Sequence, residues 1–414
     1  MAAIEIGGGA GSSRRLFIAA LGIGQIVGYG TLYYSFPLIA GPLGEALGAD
    51  KPAVYTALAV ALLTAGLAAY PIGAAIDRGH GRLVMGCGAA LGGLLLIAWS
   101  QVTSLTMLYL VFAGMGLAQA MTLYEPAFAV VARRLGREAR QGITELTLWG
   151  GFASTVFIPL LQVLMDQFGW RTGLMVLAAF QLGICMLVYL TMIQPRLDVA
   201  GSAHHSDDDA AGPKLAGRAA VAWALRQPVF WGLFIAIVAY HGLFSAMSFH
   251  IYPMLLERGF DAATVVGALA IIGPSQVAGR LAIWTFARSQ PLRAVGVATV
   301  IALPVVLLVL LFLPPSFLAL AGFACLYGTV NGIMTIIRGV AIPEMLTSRA
   351  YGALNGIIAG PGTMLEALAP VGAAMLWAAT GSYEAVLVGA IGAAVVVAIA
   401  FGFAAIRSAA TPAV

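Results

Sequence analysis

Apolar runs of about twenty residues recur along this chain, separated by short polar turns. No segment alternates with the ten-residue pattern of a membrane barrel strand. Runs of that length cross a bilayer core of about 30 Å as helices, at about 1.5 Å per residue. Twelve spans are predicted, near 15–41, 53–76, 83–101, 104–131, 141–164, 171–193, 228–255, 262–287, 291–313, 316–341, 348–378 and 382–407. Between the sixth and seventh lies 194–227, which contains GSAHHSDDDAAGPK and reads as a solvated linker. His204 and His205 beside Asp207 to Asp209 are metal-ligand types, but the linker reading is preferred and no metal is expected. The organisation predicted is a cytoplasmic tail over 1–14, a six-helix bundle over 15–193, a cytoplasmic linker over 194–227, a second six-helix bundle over 228–407 and a cytoplasmic tail over 408–414.

Composition turns these runs into membrane spans. The chain is 61% hydrophobic and 9% charged, against about 25% charged in soluble domains. All spans are therefore expected to be helical, and the 51 glycines let such helices approach closely. The net charge of +4 is no basic surface for nucleic acid, because the charges cluster in alternate turns. Placing both termini in the cytoplasm puts 16 arginines and lysines inside, Arg14, Arg78, Arg133, Arg140 and Arg293 among them, and leaves Lys51, Arg171 and Arg258 outside. The expected location is the inner (plasma) membrane. Ser13-Arg14-Arg15-Leu16-Phe17 has the look of a twin-arginine signal, but no cleavage site follows a short apolar core, and the arginines read as an inside anchor. Cys87, Cys185 and Cys325 fall within apolar runs and read as small core residues. No nucleotide-binding loop, catalytic triad or metal cluster occurs, so neither an ATP-driven pump nor an enzyme is expected, and no cofactor is required.

The two halves echo each other. Gly48 to Gly66 aligns loosely with Gly259 to Val277, and Gly142 to Leu174 with Gly352 to Leu387, both at an offset of about 210 residues. Two six-helix halves related by an axis along the membrane normal are the plan of one large transporter class.

Between the second and third runs stands Gly73-Ala-Ala-Ile-Asp77-Arg78-Gly79-His80-Gly81-Arg82. This loop resembles the hallmark G-x-x-x-D-R-x-G-R-R of the major facilitator superfamily, with Leu83 where a second basic residue is usual. The resemblance implies an all-α membrane protein of twelve helices in two pseudo-symmetric bundles. It also implies a cavity lined by the first, fourth, seventh and tenth spans. Asp77 can face a helix N-terminus while Arg78 and Arg82 stay at the inner leaflet, forming a conformational latch. The stretch from Gly142 through Phe157-Ile-Pro159 to Phe168-Gly169-Trp170-Arg171, and an arginine on the eighth span, are similar to the monocarboxylate-porter branch and related bacterial carriers. In that branch the eighth-span arginine binds the substrate carboxylate, which is what the resemblance implies for Arg280.

Arg280 itself carries the chemical question. It lies in an otherwise apolar run, GALAIIGPSQVAGRLAIWTFA, where a guanidinium costs about 2.5–3.5 kcal/mol on insertion scales. It must face a cavity, a partner or a ligand. Gln276 is one turn away on the same face. Glu125 lies at similar depth on the fourth span, either as a proton carrier or as a structural partner of Arg280. Gln25, Tyr29 and Tyr33 recur at i, i+4 and i+8 and would line a cavity with amide and phenol donors. Tyr327, Asn331 and Arg338 follow near-helical spacing on the tenth span, with Asn331 assigned to the substrate and Arg338 explained equally by snorkelling. His241, deep on the seventh span, is a second candidate proton site. Glu145 can reach Arg134 or Arg140, and Glu366 has no evident partner.

Together these residues predict a secondary transporter that moves a small, monocarboxylate-like organic anion by proton-coupled alternating access. The alternative is a proton-driven exporter of an amphipathic or toxic compound. The partners expected are the small-molecule substrate, protons and the lipid bilayer, and the protein is expected to be a monomer.

Overall fold

The computed structural model describes residues 10–194, 218–286 and 290–410. His204, His205, Asp207 to Asp209 and Arg196, Lys214 and Arg288 of the charge count lie outside the described residues. Among the described residues nine helical stretches are long and apolar enough to cross a membrane. Two of them, Pro52–Ser100 with 49 residues and Ala139–Met192 with 54, would each exceed about 70 Å if straight, so each holds two spans. The eighth span is split into Ala262–Leu269 and Ile272–Phe286, which is why no single run represents it. Twelve spans result.

Local signals set the ends. Ser104 and Ser316 accept from the N–H groups of Met107 and Ala319 at the starts of the fourth and tenth spans, and Asp50 accepts from Ala53 at the start of the second. The fifth span turns into the sixth at Gly169, whose φ of 79° and ψ of 161° suit glycine alone.

The halves repeat one packing scheme. The first span packs on the fifth and sixth, the second on the fourth, and the third on the fourth and sixth. The seventh packs on the eleventh and twelfth, the eighth on the tenth, and the ninth on the tenth and twelfth. Adding six to each number of the first set gives the second. The seams between halves obey the same rule, since the second span meets the eleventh as the fifth meets the eighth. Cys185 is buried, whereas Cys87 and Cys325 are exposed on helix surfaces rather than in the core.

Proline shapes the spans through the carbonyl it leaves without a donor four residues earlier. Pro126 frees the carbonyl of Thr122, which accepts from Gln25 Nε2 at 2.9 Å and from the Tyr189 hydroxyl at 3.1 Å. Pro343 frees Gly339, which accepts from the Tyr351 hydroxyl at 2.6 Å. Pro370 frees Glu366, whose carbonyl accepts from the Ser245 hydroxyl at 2.6 Å. Lipid offers such a carbonyl no donor, and at these three positions side chains of other spans supply one. Tyr351→Phe is expected to destabilise the protein by about 1–3 kcal/mol, read as a Tm lower by a few degrees in detergent. An unchanged Tm would show that Gly339 needs no side-chain donor.

Candidate functional site

A cavity of about 240 Å³ lies between the halves. It is lined by the first, fourth, seventh and tenth spans, and also by the second, eighth and eleventh. Tyr29, Tyr33, Gln276, Arg280, Glu125 and His241 all face it. Gln25 and Asn331 do not. Gln25 is fully buried and bonds the Thr122 carbonyl and, at 3.0 Å, the Tyr189 hydroxyl. Asn331 is buried behind the wall, where its side-chain oxygen accepts from Tyr240 at 2.8 Å and its amide donates to the Tyr327 carbonyl at 2.9 Å. Both hold the scaffold, and Asn331 reaches the cavity only through Tyr240.

Arg280 is 6% exposed. Its Nη1 donates to the Thr147 carbonyl at 3.1 Å and its Nη2 to Gln276 Oε1 at 3.4 Å, while its buried Nε has no partner. The Thr147 contact crosses from the eighth span to the fifth, just before the fifth-span helix is interrupted at Gly151. A methyl on Gly151 would stand 2.9 Å from Arg280 Nη1, so the missing side chain is what admits the guanidinium. Glu125 is not the partner of Arg280. It accepts from Asn355 Nδ2 at 2.5 Å, across to the eleventh span.

Tyr29 is the hub of an aromatic wall, with ring centroids 4.6 Å from Tyr124 and 6.0 Å from Tyr33. Opposite it stands a charged row that reading along the chain did not assemble. Arg338 lines the cavity instead of snorkelling, with Nη1 2.9 Å from His241 Nε2. His241 Nδ1 is 3.1 Å from Glu366 Oε2. Residues 97 and 125 apart in sequence meet here, a separation at which periodicity carries no signal. Glu145 pairs with Arg14, on the first span, at 3.2 Å.

Two seams join the halves at the face on which the described chain ends lie, the terminal face. Asp77 accepts from the N–H groups of Gly352 at 2.8 Å and Ala353 at 2.7 Å, at the start of the eleventh span. This is a carboxylate at a helix N-terminus. Burial pushes the Asp77 carboxyl up from its ordinary value, against the lowering pull of the Ala353 and Gly352 N–H groups. Arg133 completes the contact by donating to the Asp77 carbonyl, whereas Arg78 bonds the Ala74 carbonyl of its own helix and Arg82 is exposed. In the related seam Arg140, at the start of the fifth span, donates to the Gln290 carbonyl at 2.6 Å and pairs with Glu344 at 3.6 Å. Between the second and eleventh spans a methyl on Gly73 would stand 1.9 Å from the Gly352 carbonyl oxygen, so the backbones touch.

Paired six-helix halves around a central cavity that carries charged side chains, bridged by contacts at one face, define a membrane carrier. A family model described as Major Facilitator Superfamily matches residues 21–365, and the chain belongs to that superfamily. It is a transporter and not an enzyme. Monocarboxylate transporter 12 of Rattus norvegicus is 26% identical over 345 residues, covering 76% of this chain and 70% of that protein. Monocarboxylate transporter 11 of Homo sapiens is 30% identical over 247 residues, covering 56% and 49%. Among solved structures, the human organic anion transporter MFSD10 (TETRAN) superposes with a TM-score of 0.70 at 15% identity, covering 94% of this chain and 99% of that one. That likeness concerns the fold.

Proposed function

We propose that the protein carries a small organic anion with a monocarboxylate-like head, together with protons, by rocking its two halves about the cavity. Arg280 carries this reading, as a buried guanidinium on the cavity wall whose Nε–H has no partner. A carboxylate there would gain charge-assisted hydrogen bonds. Gln276 orients the guanidinium, and the hydroxyls of Tyr29 and Tyr33 supply further donors. Glu125 and His241 are the groups that would carry the proton. Relatedness to monocarboxylate transporters over 76% of the chain supports the same substrate class. By the excess of arginine in alternate turns, the terminal face is cytoplasmic, in the plasma membrane, and this state is closed towards the cytoplasm. Asp77 with Arg133 is the latch that holds it closed.

Proteoliposomes test the reading. Labelled lactate is expected to accumulate under an inward proton gradient and to stop when the gradient is collapsed. Accumulation indifferent to the gradient would sink proton coupling. Accumulation of neutral or cationic solutes in preference to lactate would sink the anion assignment.

A further inference from the structure

The row Arg338–His241–Glu366 has a determinate protonation pattern. A guanidinium only donates hydrogen bonds, so the His241 nitrogen facing Arg338, Nε2 at 2.9 Å, accepts. A neutral imidazole that accepts at Nε2 carries its hydrogen at Nδ1, and Nδ1 faces the Glu366 carboxylate at 3.1 Å. The contacts thus describe a neutral His241 bridging a cation and an anion. The bridge is held firmly. The Ser245 hydroxyl bonds the Glu366 carbonyl, and the His241 ring lies so close to Gly362 that a methyl there would stand 3.1 Å from it. Arg338 Nε, like Arg280 Nε, is buried without a partner, and both residues line the same cavity.

We propose that neutral His241 masks Arg338, and that a proton on His241 releases Arg338 into the cavity as a second guanidinium for the carried anion. This rests on the reading that an anion binds at Arg280. The step moves one proton and no electrons. A proton from water adds to Nε2, the only lone pair available on the ring, and the hydrogen bond from Arg338 Nη1 to that nitrogen is lost. Two adjacent cations then repel, while Nδ1–H keeps Glu366 and strengthens as a charge-assisted bond. Arg338 then lacks its acceptor at Nη1 beside the cavity, a condition an anion there relieves. A carboxylate spanning Arg280 and Arg338 is the ligand that does so. The other charged or titratable groups around the row are Tyr240 beside His241, Tyr33 facing Glu366 from the first span, and Tyr29, Tyr124, Glu125 and Tyr351 facing Arg338 from the first, fourth and eleventh. Of these Glu125 is the other carboxylate, and Asn355 holds it separately.

The test is lactate binding by calorimetry to the full-length protein in detergent between about pH 8 and pH 5.5, where histidine changes charge and lactate stays ionised. Wild-type affinity is expected to rise as pH falls, approaching about tenfold per unit where one proton is taken up with the anion. His241→Gln can accept from Arg338 and donate to Glu366 as neutral histidine does, but it never charges. It is expected to keep the wild-type Tm and to bind at the weak, high-pH level throughout. Arg338→Gln is expected to lose the gain in affinity at low pH. A wild-type slope in His241→Gln overturns the proposal. If that slope then disappears in Glu125→Gln, the anion site at Arg280 stands and the proton belongs to Glu125. If wild type binds no lactate at any pH, the anion reading falls as well.

Discussion

Arg280→Gln is expected to abolish useful anion binding. Removing one partner of a desolvated charge pair costs about 2–5 kcal/mol, which is roughly thirtyfold to several thousandfold in Kd. The glutamine also gives up the bond to Thr147 and the unpartnered Nε–H. Calorimetry with lactate measures the first effect directly. A variant that binds lactate within a few-fold of wild type would remove Arg280 from the site and leave it as a tether between the fifth and eighth spans. The stability readout separates the two roles, because a pure tether lowers Tm without altering the affinity of the protein that stays folded.

The second large effect concerns closure of the terminal face. Gly73→Leu puts a branched side chain where even a methyl would meet the Gly352 carbonyl at 1.9 Å. Backbone, unlike a side-chain tip, cannot turn aside. Overpacking typically costs about 1–3 kcal/mol, and here the strain falls on one conformation alone, because it vanishes when the second and eleventh spans separate. A two-state equilibrium therefore shifts by about fivefold to a hundred-and-fiftyfold towards the form open at that face. Pulsed electron–electron distances between spin labels at the terminal ends of those spans are expected to lengthen. Unchanged distances would show that the seam is not part of the rocking motion. Asp77 sits one turn from Gly73 on the same seam, so its two N–H bonds are lost in the same movement.

The spans were legible because membrane crossing imposes length and apolarity on each segment locally, with no need to know its neighbours. Their interruptions were less so. The fourth span breaks at Leu123 and the eighth near residue 270, and hydropathy is blind to both. Within the site, Arg280, Tyr29, Tyr33, Glu125 and His241 could be picked out as polar positions in apolar runs. Gln25 satisfies the same criterion but lies off the cavity. Steps of four residues drift by about 40° on a helix of 3.6 residues per turn, so Gln25 is rotated well away from Tyr33 and into the bundle. Asn331 was misplaced for a related reason, since it stands behind Tyr240. Arg338 and Glu366 needed the seventh span to bring them together, and the role of Arg133 needed the turn at Asp77. Contacts of that kind belong to the assembled fold.

The three carbonyls released by Pro126, Pro343 and Pro370 bear on how such a protein is built. A helix delivered singly into lipid would carry each of these oxygens unsatisfied until a neighbour arrives with its amide or hydroxyl. The donors come from specific heights on specific partners: Gln25 and Tyr189 for one, Tyr351 and Ser245 for the others. Docking one turn out of register would leave both the oxygen and its donor stranded in hydrocarbon. These three prolines therefore act as assembly marks, by which helices that are nearly featureless to lipid recognise their neighbours and settle at the right depth.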